Sequence, residues 1–163
     1  MKKFGVRSST FRVRLRLRLE FEEVRGSTFE VGYKRFDDNR MTIKRFEDIH
    51  AWQAARELCK AVYRVTGNGE FRRDFGLVDQ ARRAAVSIMA NIVEGFDSRS
   101  NSEFIQFLYY ALRSASELQS HFYVALDQSY VVESQFAEIY EETSKAKGMI
   151  FRFVDYLRTH DKP

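Results

Sequence analysis

From Phe46 almost to the C-terminus, apolar residues recur at intervals of three and four, the period of a helix with one buried face. Phe46, Ile49, Trp52, Ala55, Leu58, Val62 and Val65 predict a first helix over about 46–66, which Gly67-Asn68-Gly69 should stop. Leu77, Ala81, Ala85, Ile88 and Ile92 predict a second, starting near Asp74 and ending near Gly95, a residue well suited to close a helix. Ser100-Asn101-Ser102-Glu103 has the S-x-x-E spacing of a capping box and should open a third. Phe104, Leu108, Ala111, Ala115, Leu118, Phe122 and Ala125 carry that helix to about Asp127. After a short connection around Tyr130, a fourth stripe runs through Phe136, Ile139, Thr143, Ala146, Ile150, Phe153 and Leu157. The sole proline is Pro163, so no helix interior is interrupted. Four long amphipathic helices with short loops predict an all-α fold, an antiparallel up-down four-helix bundle. Spacings that lean to seven-residue repeats suit shallow crossing angles.

The first forty residues follow a different rule. Phe11 to Phe21 alternates apolar and charged residues strictly, the period of a strand, and Thr28 to Tyr33 reads as a second, weaker one after Gly26-Ser27. A lone two-stranded hairpin is marginal in water. Three readings fit: a hairpin docked on the bundle, a basic arm that orders on nucleic acid, and an upstream extension outside the native product, with Met41 as the natural start. The expected division is a basic extension over 1–42, hairpin or disordered, and a bundle over 43–160.

Charge sharpens that division. Residues 1–40 carry 11 Lys+Arg and 6 Asp+Glu, a balance of +5; the rest carry 16 and 17, a balance of −1. The overall +4 therefore says nothing about the helical part. A length of 163 residues leaves room for one domain with a filled core plus an appendage. The single cysteine, Cys59, excludes an intramolecular disulfide, and its apolar helical setting suits a buried free thiol. No apolar run reaches the length of a signal peptide core or a membrane span, so the expectation is a cytoplasmic protein without a membrane partner. The 15 phenylalanines and eight tyrosines exceed the needs of one small core. Phe107, Tyr109, Tyr110 and Tyr123 should lie outside the central stripe of the third helix, which suggests a subunit interface and a homo-oligomer.

The second helix has another face beside its apolar stripe: Gln80, Ala84, Ser87, Asn91 and Glu94. A face turned only to solvent would carry Lys and Glu throughout. Small residues let a neighbouring backbone approach, and buried amides and carboxylates are tolerated only when paired. The expectation is a buried polar network of Gln80, Arg83, Ser87, Asn91 and Glu94 meeting Ser114 and Glu117 of the third helix. It is read as structural, since no His or Cys of the second helix sits among these residues to do chemistry.

The same residues carry a family resemblance. Gln80, Arg82-Arg83-Ala84, Ser87-Ile88, Asn91-Ile92 and Glu94-Gly95 resemble the Q-x-R-R-A-x-x-S-I-x-x-N-I-x-E-G signature of a bacterial four-helix-bundle family, the proteins encoded within intervening sequences of 23S ribosomal RNA genes. Phe46 through Ala55 is similar to its F-x-x-L-x-x-W-x-x-A opening, and Phe75-Gly76-Leu77 to its F-G-L entry to the second helix. Ala111 to Leu118, with Ser114 and Glu117, resembles its A-x-G-S-x-x-E-L segment, with Arg113 where the family commonly has glycine. The resemblance spans about residues 43–158. It implies a homopentameric ring and kinship with the accessory protein of diversity-generating retroelements, which binds nucleic acid and a reverse transcriptase. It implies no enzymatic activity and no cofactor.

Candidate chemistry is sparse. Arg56, Lys60 and Arg64 are four residues apart and project the same way from the first helix, with Arg72, Arg73 and Arg82 following. Such a surface suits RNA or DNA phosphates, and equally a solvated face. His50, His121 and His160 show no metal-ligand spacing among themselves or with Cys59, so no metal is expected. No glycine-rich phosphate loop or nucleophile motif is present. The expected function is a non-enzymatic oligomeric scaffold for nucleic acid, a protein partner or both. The alternative is a carboxylate-dependent enzyme, such as a nuclease using Glu94 and Glu117.

Overall fold

The computed structural model describes residues 43–159. The alternating segment at Phe11–Phe21, its weaker neighbour and His160 lie outside the described residues. A short 3-10 turn at Phe46–Asp48 leads into α1, His50–Thr66. A second 3-10 turn, Phe71–Arg73, precedes α2, Phe75–Phe96. Two more helices follow, α3 over Asn101–Asp127 and α4 over Glu133–Thr159. The described residues form an all-α, antiparallel up-down four-helix bundle, and no strand occurs among them.

Local signals explain where the helices begin and end. Asp74 caps α2 by accepting the Leu77 backbone N–H at 2.9 Å. Ser100 caps α3 through Oγ, which accepts from the Glu103 N–H at 3.2 Å. Glu103 returns the bond to the N–H of Arg99, one residue before the cap (3.2 Å). At the end of α1, the Asn68 side chain donates to the Arg64 carbonyl at 2.6 Å. The left-handed turn falls at Gly69, with φ of 57°, and not at Gly67, which keeps helical geometry.

The helices pack in chain order around a square, each against its two neighbours, with α4 returning to α1. The core is the apolar stripe read from the sequence: Leu58 and Val62 of α1, Ile88 and Ile92 of α2, Leu118 and Phe122 of α3, Ile139 and Ile150 of α4 are fully buried. Each such side chain contributes about 1.5–3 kcal/mol by leaving water. The most extensive contact joins α2 and α3, and both helices bury small residues, Ala81, Ala84 and Ala85 on α2 and Ala111, Ser114 and Ala115 on α3, that leave room for backbones to approach. Two of the three buried hydroxyls among the described residues are satisfied within their own helix, Thr66 on the Val62 carbonyl (2.8 Å) and Thr143 on that of Ile139 (2.6 Å), while Ser114 bonds across to α2.

Both ends of the bundle are locked by aromatic rings. At one end Phe71, fully buried in its short turn, stacks on Tyr130 of the α3–α4 loop at 5.5 Å and meets Phe122 edge-on at 6.0 Å. At the other, Phe104 packs edge-on against Phe153 at 5.2 Å. Gly95 lies beneath Phe104. A Cβ there would overlap the Phe104 ring and come within 3.0 Å of Phe107 Cβ. α2 ends at Phe96, one residue from the expected end near Gly95, and the glycine there also makes room for close packing.

Candidate functional site

The polar stripe of α2 resolves into a bonded centre and free ends. Ser114 Oγ donates to Ser87 Oγ at 3.0 Å across the α2–α3 contact. Asn91 Nδ2 donates to the Ser87 carbonyl (2.8 Å) and to Ser87 Oγ (3.1 Å). Beyond this centre the expected network is corrected. Gln80, Arg83, Glu94 and Glu117 are exposed in the chain. Arg83 lies 3.7 Å from Asp79 on its own helix, and Glu117 lies 3.5 Å from His121 Nε2. The physical reason is side-chain length. Ser and Ala fit the narrow line where two backbones approach, whereas Gln, Glu and Arg reach past it and are hydrated at lower cost than they could be buried.

Among the described residues Asn91 bonds within α2, so its loss strands no partner there: Ser87 Oγ keeps Ser114, and the Ser87 carbonyl keeps its helical bond. Asn91→Leu is accordingly expected to change stability by less than about 1 kcal/mol, read from urea melts. A larger loss would show that Asn91 has a partner beyond its own helix.

The basic residues occupy one side of the bundle. Arg56, Lys60 and Arg64 are all exposed on α1. Arg56 lies over the Trp52 ring at 5.9 Å. Lys60 pairs with Glu57 at 2.7 Å, and Arg64 reaches across to Glu138 of α4 at 2.8 Å. In the following turn Arg73 pairs with Glu70 at 2.8 Å, while Arg72 is exposed and has no ion pair among the described residues. Arg82 differs from the others. It is half-buried, its Nε donates to Thr66 Oγ1 at 2.9 Å, and its guanidinium lies 4.7 Å over the Tyr63 ring. It ties α2 to the end of α1, and its place among open phosphate contacts is corrected to a structural clamp.

One feature of this surface gives no periodic signal. Phe75, the first residue of α2, is 81% exposed and stands three residues from Arg72. Of the surplus α3 aromatics, Tyr123 is half exposed, while Phe107, Tyr109 and Tyr110 are half-buried. Arg113 is exposed, with its guanidinium 5.5 Å over Tyr110, so the arginine occupies surface and not a helix contact within the chain.

Cys59 is half-buried, and burial pushes its thiol above the usual range, which suppresses thiolate reactivity. Glu94 and Glu117, the carboxylates of the nuclease alternative, are both exposed. No cluster of three His, Cys, Asp or Glu side chains placed to hold a metal occurs among the described residues. None of the described helices is long and apolar enough to cross a membrane.

Comparison with known proteins places this geometry. The family model described as 23S rRNA-intervening sequence protein matches residues 47–152, more than half of the chain. A similar solved structure is that of a protein of unknown function from the S23 ribosomal protein family of Bacteroides thetaiotaomicron VPI-5482. It is 21% identical, covers 64% of this chain and 97% of its own, and superposes with a TM-score of 0.59, a likeness of fold. No curated protein matches the chain.

Proposed function

The chain belongs to the 23S rRNA-intervening sequence protein family, and from that premise we propose that it is a non-enzymatic, self-assembling scaffold that binds nucleic acid, RNA or DNA. The contact surface is the outward side of α1 with the turn that follows: Arg56, Lys60, Arg64, Arg72 and Arg73. One observation carries this reading. An 81% exposed phenylalanine, Phe75, follows three residues after Arg72, which makes no ion pair among the described residues, at the end of a basic row. Stacking aromatics alternating with backbone-neutralising cations are what single strands require. The ion pairs made by Lys60, Arg64 and Arg73 do not oppose it. Exposed pairs are worth about 0–1 kcal/mol each, so their cations can exchange a carboxylate for a phosphate.

Self-assembly multiplies such contacts. A homopentameric ring, the arrangement the family resemblance implies, would present five copies of the row, and binding through many phosphates becomes steeply salt-dependent. A protein partner would then meet a surface outside that row. Titration of the purified protein against labelled RNA and DNA at two salt concentrations, with and without Mg²⁺, tests the reading. The expected result is salt-weakened binding that leaves the nucleic acid intact. Mg²⁺-dependent cleavage that disappears in Glu94→Gln would instead establish the nuclease.

A further inference from the structure

The charge of the helical domain is segregated between two sides. Residues 114–144 contain six acidic residues and neither lysine nor arginine, whereas residues 56–83 contain seven bases and four acids. The acidic stretch spans the end of α3, the connecting loop and the start of α4. It also carries an exposed aromatic ridge: Tyr123 packs against Phe136 at 4.8 Å and Tyr140 at 5.9 Å. Asp127, Glu133 and Glu141 are exposed on the same stretch and make no ion pair among the described residues.

The seam between α1 and α2 is its counterpart. It forms a groove of about 530 Å³ walled by Trp52, Tyr63, Val86, Met89 and Val93, with one carboxylate, Glu94, in its lining. Two of its aromatic walls carry arginines on their faces, Arg56 on Trp52 and Arg82 on Tyr63. Because the helices pack in chain order around a square, the α1–α2 seam and the α3–α4 seam lie on opposite sides of the bundle.

We propose that these two faces meet between copies of this chain, the aromatic ridge of α3–α4 from one copy seating in the α1–α2 groove of the next. The inference rests on the self-assembly proposed above and assigns its contact surfaces. Aromatic and methionine side chains inside a charged rim have the composition of interface centres. Acidic residues around the ridge meet cations around the groove, which fixes the pairing and its direction. A contact between two different, opposite faces is heterologous, so it propagates from copy to copy until it closes into a ring. Segregated charge gives such a contact its sign; within one chain, among the described residues, only Glu138 of the acidic stretch is paired with the basic row, through Arg64. Arg56 lies over a groove wall, whereas Lys60 and Arg64 of the same row engage Glu57 and Glu138.

Two surface variants test this in the full chain. Val86→Glu places a charge in the groove, where Val86 is 44% exposed, and Tyr123→Glu places one on the ridge, where Tyr123 is 50% exposed. Both sites lie outside the core, and helical circular dichroism should match the parent, with a cooperative melt lowered only by the loss of assembly. Each variant alone is expected to fall to monomer mass in analytical ultracentrifugation. Mixed in equal amounts, they should give a species of twice that mass. One retains an intact ridge and the other an intact groove, so a single productive contact remains.

Folded variants that stay assembled, or two monomeric variants that remain monomers on mixing, would overturn the assignment of faces while leaving self-assembly standing. A parent chain that is monomeric at micromolar concentration would overturn self-assembly itself. Retained assembly in Val86→Glu with loss of RNA binding would assign the groove to nucleic acid, against this proposal.

Discussion

Phe71→Ala is expected to cost the bundle about 3–5 kcal/mol, the range for removing a fully buried phenylalanine. Phe71 is not part of any long helix. It sits in a three-residue turn, yet it is completely buried and contacts both Tyr130 and Phe122. It therefore fastens the α1–α2 connection to the α3–α4 connection, and truncation would open a cavity shared by three elements. Since small domains are stable by only about 5–15 kcal/mol in total, the variant should unfold at much lower urea than the parent. A loss below about 1 kcal/mol would mean that the loops collapse onto the cavity, and that Phe71 does not hold this end of the bundle.

Substitution of two helical glycines should give effects of opposite sign. Gly95→Ala puts a methyl group against the Phe104 ring, which is itself held edge-on by Phe153 and cannot swing aside freely. Overpacking of this kind costs about 1–3 kcal/mol, against which the better helix propensity of alanine returns at most about 1 kcal/mol. Gly95→Val adds bulk to the same contact and should cost more. Gly148 lies within α4, where an added Cβ meets nothing within 4 Å. Gly148→Ala should consequently stabilise the protein by about 0.5–1 kcal/mol. Paired chemical melts decide this, and a neutral Gly95→Ala would contradict the close approach of α2 and α3.

The contrast between these glycines shows what the sequence can and cannot disclose. Periodicity located all four helices, because a buried face imposes its spacing on the chain wherever the helix is long. Ser100 was legible as a cap because capping chemistry is local. Gly95 was not legible as a packing residue. Its partner, Phe104, lies across a loop, and a glycine near a helix end looks the same whether it terminates the helix or makes room for a ring.

The candidate site divides in the same way. Ser87 and Ser114 could be paired in advance, since small polar residues on facing stripes have few alternatives. The destinations of the long side chains depended on distances that only the folded chain defines. Arg82 finds Thr66 sixteen residues away and Arg64 finds Glu138 seventy-four away, and neither separation has a period to betray it. Phe75 is visible in the sequence only through the family resemblance, and its exposure is not, because an exposed aromatic at a helix start breaks no pattern. The charge segregation, by contrast, was present in the sequence throughout. It acquired meaning only when the order of packing placed the base-free stretch opposite the basic one.

The salt dependence of RNA binding tests the scaffold function most directly. Single-stranded RNA affinity should be measured across a salt series for the parent and for the double variant Arg64→Ala/Arg72→Ala. Each phosphate contact contributes about −0.7 to the slope of log K against log salt on single strands. If these two arginines bind phosphates, the double variant should bind more weakly, with the slope smaller by about 1.4 in magnitude per chain engaged, and the RNA should be recovered intact. A parent protein with no salt-sensitive binding, or a double variant with an unchanged slope, would contradict a nucleic-acid surface on α1 and its following turn.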